Sequence, residues 1–316
     1  MYKSSILALF VLAGSSAVAQ TPGGRSAVTP ADGQGWSGDP SPVVWESVYV
    51  GSAPKLDGEL EDIWSAARPL TVFVREAMGG DHPVPVTLRA LHTDDSLFVA
   101  AQWPDSTRSD LRDPFVWDAG KLAYERPSRP DDQFAIEFPL RGEFGISMLT
   151  VTRSYAADVW HWKAGRGNPI GWVDDKYHVI SQTPISHAKA VKHDLHGGRL
   201  VYILRAQDAG RSSYLQKDAP TTFAGAVVDS FEQQEPDGSM ADVRGRGVHD
   251  GKGRTLEMGR TFDTGHADDD AVIDPKSEVR CAIAVLNDEL YEEHSVSSLI
   301  VLRLTGGPGR PATVRR

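Results

Sequence analysis

Two runs of alternating apolar and polar residues, Val86 to His92 and Ser96 to Trp103, flank Asp94-Asp95 and leave this stretch little choice but a β-hairpin. Side chains of an extended chain point alternately to opposite faces, so a period of two gives each run one face to bury, and the short acidic link suits a tight turn. The same pattern predicts strands at Val43 to Val50, Leu70 to Val74, Phe134 to Phe138, Arg199 to Arg205, Thr255 to Phe262, Val279 to Leu286 and Ser297 to Leu304. Leu56-Asp57-Gly58-Glu59 reads as a turn before Leu60 to Ala67, a short acidic-started helix that Pro69 stops. With 30 glycines and 20 prolines, the chain favours short strands and turns over long helices. The expected fold is all-β: an antiparallel β-sandwich with short helices.

Residues 1–19 hold Lys3, the apolar run Ile6 to Ala13 and the triplet Ala17-Val18-Ala19, the pattern of a secretory signal peptide cleaved after Ala19. About eight apolar residues fall short of the roughly twenty that a spanning helix needs. The expectation is an exported, periplasmic protein with no membrane span. Residues 20–42, rich in Gly, Pro, Ser, Thr and Ala, are expected to form a flexible leader, residues 43–305 one domain, and residues 306–316 a disordered tail. A formal net charge of −10 without any Lys/Arg run speaks against nucleic acid or anionic lipid as the main partner. The single cysteine, Cys281, rules out an internal disulfide and a covalent c-type haem, which needs two thiols. Its strand-like surroundings, Arg280 to Val285, predict a buried, inert thiol.

Two segments stand out: Asp158-Val159-Trp160-His161-Trp162-Lys163-Ala164 followed by Gly171-Trp172-Val173-Asp174-Asp175, and Phe262-Asp263-Thr264-Gly265-His266-Ala267-Asp268-Asp269-Asp270. Together with Leu56 to Trp64 they resemble the haem-binding domain of ethylbenzene dehydrogenase and the related gamma subunits of dimethyl sulfoxide reductase-type molybdenum enzymes, from about Val44 to Leu304. The Leu-Asp-Gly-Glu opening also resembles family 9 carbohydrate-binding modules, whose sandwich is similar. The resemblance implies one non-covalent haem b held between two axial side chains, in this family typically Met with Lys, or Met with His in related cytochromes. By position, it points to Met148, which precedes the Trp-His-Trp block, and to His294, just before the last strand. Trp160 and Trp162 would be pocket or structural aromatics, sharing one side of a strand, with His161 and Lys163 on the other side as rival ligands. A thioether and an imidazole are good low-spin iron ligands, and a six-coordinate iron passes electrons rather than binding substrate.

The implied function is electron transfer without bond chemistry of its own, between molybdopterin and iron–sulfur oxidoreductase subunits and a soluble cytochrome c, or as a respiratory carrier. The alternative is a carbohydrate-binding module that stacks sugars on exposed tryptophans. Asp94-Asp95, Asp131-Asp132, Asp174-Asp175 and Asp268-Asp269-Asp270 lack the spacing of a calcium loop and are expected to be solvated turn carboxylates. No G-x-S-x-G elbow, Gly-rich phosphate loop or H-E-x-x-H motif is present.

Overall fold

The alternating runs become strands: β1 (Val43–Tyr49), β2 (Leu70–Glu76), β3 (Val84–His92), β4 (Ser96–Pro104), β5 (Gln133–Gly142), β6 (Tyr155–Lys163) and β7 (Asp174–Ser181). They continue with β8 (Lys189–His193), β9 (Arg199–Gln207), β10 (Arg244–His249), β11 (Gly253–Thr261), β12 (Val279–Leu286), β13 (His294–Val296) and β14 (Ile300–Thr305). The computed structural model describes residues 42–76, 83–145, 148, 153–193, 199–287 and 294–307. The expected signal segment, all but the last residue of the leader, and the tail from 308 onward lie outside the described residues.

Hydrogen bonds run along the path β8-β9-β7-β6-β5-β12-β13-β2-β3-β4-β11-β10, with β14 beside β12 and β1 between β14 and β3. This path folds into two layers because two strands belong to both. Val279 to Cys281 of β12 pair with β14, whereas Ala282 to Leu286 pair with β5. Leu70 to Val74 of β2 pair with β3, whereas Arg75 and Glu76 pair with β13. Strands that switch sheets in this way make the corners of a sandwich. Strand β1 departs from the antiparallel expectation, since it runs parallel to both β14 and β3. The expected helix shrinks to a 3-10 turn, Asp62–Ala66. The expected last strand, Ser297 to Leu304, begins only at Ile300, and the Ser297 hydroxyl before it accepts the Ile283 N–H at 3.0 Å.

Side chains facing inward from both layers form the main core, with Trp45, Trp103, Phe134, Phe138, Trp160 and Trp162 as its bulk. Aromatic rings of this size dominate the burial energy of a sandwich. Trp162 lies so close to β10 that a Cβ on Gly247 would fall 2.4 Å from its ring, which only glycine avoids. Asn168 fixes this approach, accepting the Trp162 indole N–H at 2.8 Å and the Gly247 N–H at 2.7 Å. Cys281 is buried and free, and burial pushes its thiol pKa up, as an inert core thiol requires.

Strand β11 reads Arg254, Leu256, Met258, Arg260 on its inward face, an apolar centre with a buried guanidinium at each end. Arg254 lies 5.7 Å from the Trp162 ring and ion-pairs with Asp132 and Asp110; Arg260 lies 5.1 Å from the Trp160 ring and pairs with Asp158 and Asp270 at 2.8 and 2.7 Å. Here the structure corrects the sequence reading of the acidic pairs. Asp94 and Asp95 are exposed, but Asp131, Asp132, Asp174, Asp175, Asp269 and Asp270 are buried. Four of them have close cation partners, Arg166 for Asp131, Arg254 for Asp132, Lys163 for Asp174 and Arg260 for Asp270, and buried carboxylates need such partners.

On the opposite face of β11, Glu257 anchors the Leu-Asp-Gly-Glu turn. Its carboxylate accepts the Trp64 indole N–H at 2.6 Å and the backbone N–H groups of Gly58 and Asp57 at 2.7 and 3.1 Å. Burial pushes its pKa up to about 7 against the pull of these donors. Glu257→Ala strands three donors at once and should cost about 2–3 kcal/mol in urea unfolding. A loss below about 0.5 kcal/mol, the usual size of a surface effect, would show that the turn is held otherwise.

Candidate functional site

Alternation along β6 sends Asp158, Trp160 and Trp162 into the core and Tyr155, Ala157, Val159 and His161 to the outer face. Strand pairing extends that outer face sideways. Ala135 lies opposite His161, and Ala284 of β12 opposite Ala135; Glu137 lies opposite Val159, and Ala282 opposite Glu137. On the other side His178 faces Ala157, and Arg205 of β9 faces His178. Ala135, Ala157, Ala282 and Ala284 thus make a low floor where larger residues would stand up from the sheet.

Met148 is half-buried and packs on this face against the cluster built from Tyr155, Ala157, Val159, Ile180, Val201 and Ile203. His294 opens β13 rather than lying on a loop, and its backbone pairs with Leu286, which pairs in turn with Gln133. Strands β12 and β5, which carry three of the four alanines, therefore separate β13 from β6. At roughly 4.8 Å per strand the gap is about 14 Å.

His161 sits at the edge of the floor. Its Nδ1 lies 3.4 Å from the Lys176 ammonium, and its Nε2 is buried with no hydrogen-bond partner. Burial, followed by the positive charges of Lys176, Lys163 and Arg166, holds its pKa well below 6.5, so the ring is neutral. With Lys176 donating to Nδ1, the ring proton belongs on Nε2. An imidazole that binds metal through Nε2 needs an acceptor at Nδ1, and the ammonium cannot serve as one. His161 is arranged as a donor through Nε2.

Lys163 has another occupation. Its ammonium pairs with the Asp174 carboxylate and lies 3.0 Å from the Tyr214 hydroxyl, which donates to Asp174 at 2.6 Å. Burial raises the Asp174 pKa, but Lys163, Lys176 and Arg166 outweigh it and hold the group at about 2. The structure therefore brings Met148, His161 and the alanine floor onto one face with β13 beyond it, and sets Trp160 and Trp162 on the opposite face and Lys163 in an ion pair. Trp160 and Trp162 thus face opposite to His161 and Lys163, as alternation along the strand predicts.

Sequence reasoning passed over Glu137, Lys176 and His178, whose signal was only their alternate positions along strands. Burial pushes Glu137 up to about 8. Among the described residues no tryptophan is exposed, and Trp117, the most open of them, is half-buried against Tyr124 and Phe223. No described helix is long and apolar enough to cross a membrane.

Two outcomes follow from these charges. Lys163→Met leaves Asp174 buried beside a lost partner and should cost about 3–5 kcal/mol in chemical denaturation, with Lys163→Met/Asp174→Asn recovering part of it; equal losses in both variants would dismiss the pair as a stabilising unit. Glu137 has a folded pKa above its unfolded value of 4.5, so its contribution is fully present below pH 4.5 and is lost as pH rises through about 8. Glu137→Gln should flatten the fall in stability across that window, and an unchanged pH profile would contradict the assignment.

No curated protein matches the chain. Among solved structures, a family 9 carbohydrate-binding module from Caldicellulosiruptor kristjanssonii in complex with cellotriose covers 86% of this chain and 99% of its own, at 9% identity and a TM-score of 0.39. The glucose complex of a family 9 module from the same organism gives 84% and 98%, 10% identity and 0.38. A Bacteroides uniformis protein described as carbohydrate-binding gives 86% and 94%, 10% identity and 0.39. The profile described as ethylbenzene dehydrogenase matches residues 61–297, which take in the Trp-His-Trp strand, Met148, the alanine floor and His294, and the chain belongs to the ethylbenzene dehydrogenase family.

Proposed function

We propose that this chain is an exported haem b protein that transfers electrons for an oxidoreductase, and that Met148 and His294 would hold the haem iron. The observation that carries the reading is the alanine floor between Met148 and β13, on a face that also carries Val159, Glu137 and His161. Large side chains at those four positions would fill the space of a flat macrocycle. Family membership supports the association with oxidoreductase subunits, and the Lys3 to Ala19 pattern supports export.

When bound by a thioether and an imidazole, haem b supplies a one-electron couple at a higher potential than two imidazoles would give. The remaining contributions come from the chain. Met148 offers a soft donor that is already packed against apolar neighbours, so little side-chain freedom is lost on ligation. The Tyr155, Val159, Ile180 and Ile203 side chains keep water from the Met148 side of the floor. The His161 Nε2–H and the Lys176 ammonium, both on this face, are suited to carboxylates such as haem propionates. Partners of matching chemistry are a molybdopterin and iron–sulfur subunit or a soluble cytochrome c, between which the chain would relay electrons without bond chemistry of its own. The carbohydrate reading needs exposed tryptophans, which the described residues lack.

Purification of the full chain with haemin should yield a red protein with a Soret band and sharp α and β bands on reduction. Met148→Ala and His294→Ala should each abolish the low-spin spectrum, whereas His161→Ala should keep it and lower haem retention several-fold. No haem uptake, or unchanged spectra in both ligand variants, would overturn the proposal.

A further inference from the structure

In the middle of the outer face stands an acid. Phe134, Ile136 and Phe138 of β5 point into the core, so Glu137 points out, two residues from Ala135, with Val159 of β6 on one side and Ala282 of β12 on the other. Its carboxylate makes no hydrogen bond or ion pair with any described residue. Its charge is felt around it all the same, since it adds to burial in pushing the Tyr155 phenol and the Cys281 thiol up.

The other titratable and charged groups on this side are engaged or distant. On β6 they are Tyr155, the neutral His161, and Lys163 in its pair with Asp174. On β7, across β6, Lys176 lies opposite Val159 and turns toward His161 and Asp174, and His178 lies opposite Ala157. Arg280 of β12, two residues before Ala282, is exposed, and Arg141 at the end of β5 donates to the Asp268 carbonyl at 2.8 Å. None of these cations offsets the burial of Glu137. An ionised carboxylate among apolar neighbours needs either a positive charge close by or a proton. Propionates aside, a ferric porphyrin with a thioether and a neutral imidazole carries one positive charge, and the ferrous form carries none.

We propose that Glu137 is the counter-charge to the oxidised haem and takes up a proton when the haem is reduced, so that electron and proton travel together. The inference rests on the haem reading above. One electron from an iron–sulfur or cytochrome-type donor takes the iron from ferric to ferrous. One proton from solvent converts the Glu137 carboxylate to the carboxylic acid, and no other bond forms or breaks. Without haem, burial places Glu137 at about 8. The positive charge of the oxidised state lowers that value and reduction lets it return, so the proton is taken up in the window below about pH 8.

Spectroelectrochemical titration of the haem-loaded full chain tests it, with Glu137→Gln as the variant that keeps the shape and deletes the charge. The midpoint potential of the unmodified protein should fall as pH rises through this window, and that of the variant should stay level. At about pH 5 Glu137 is protonated in both oxidation states and the two potentials should agree; at about pH 9 the unmodified protein should be at least tenfold harder to reduce, about 59 mV lower. A role in packing alone would shift both ends of the curve alike. Infrared difference spectra recorded on reduction at about pH 7 should show a protonated carboxyl band that Glu137→Gln lacks. Parallel curves from about pH 5 to 9, with the low-spin spectrum retained, would overturn this inference and leave the haem reading standing. A chain that takes up no haem would overturn both.

Discussion

The contact between β6 and β11 across the sandwich decides how the rest of the chain is placed. Arg254 and Arg260 stand at either end of the inward face of β11 and meet Trp162 and Trp160 of β6, and each draws carboxylates from a different part of the sequence. A guanidinium is weakly hydrated and can lie on an aromatic ring while its edge serves carboxylates, so it tolerates burial better than an ammonium. With both ends of this contact satisfied, the Trp-His-Trp strand can have only one orientation. Its histidine and the neighbouring alanines are then obliged to face outward.

That orientation explains why the fold was readable and part of the site was not. Period-two patterns foretold the β3–β4 hairpin, because each strand buries one face and its own residues carry the signal. The fate of the acidic pairs could not be seen locally. Asp132 is buried by Arg254, 122 residues away, and Asp158 by Arg260, likewise far along the chain. Asp174 and Asp175 show the difficulty in one dipeptide. As neighbours on a strand they face opposite ways, one toward Lys163 on the outer side and the other toward Arg260 between the layers. The sequence pair is two unrelated carboxylates.

The candidate site was legible to the same extent. That Trp160 and Trp162 share a face opposite His161 followed from alternation alone. What the sequence concealed was the floor, because Ala135, Ala157, Ala282 and Ala284 come from three strands that only pairing brings side by side. Alanine is also the least informative residue in a pattern, since it suits either face of a sheet. Lys163 looked like a rival ligand because its partner Asp174 becomes a neighbour only once β6 and β7 are paired.

Strands β2 and β12 each hydrogen-bond within both layers. A sandwich of two independent sheets can shear or peel along its dry interior, but here any such parting must tear the backbone ladder of a single continuous strand. The face that carries Met148 and the aromatic core beneath it are thereby mechanically joined, so the molecule opens as one cooperative unit and not layer by layer.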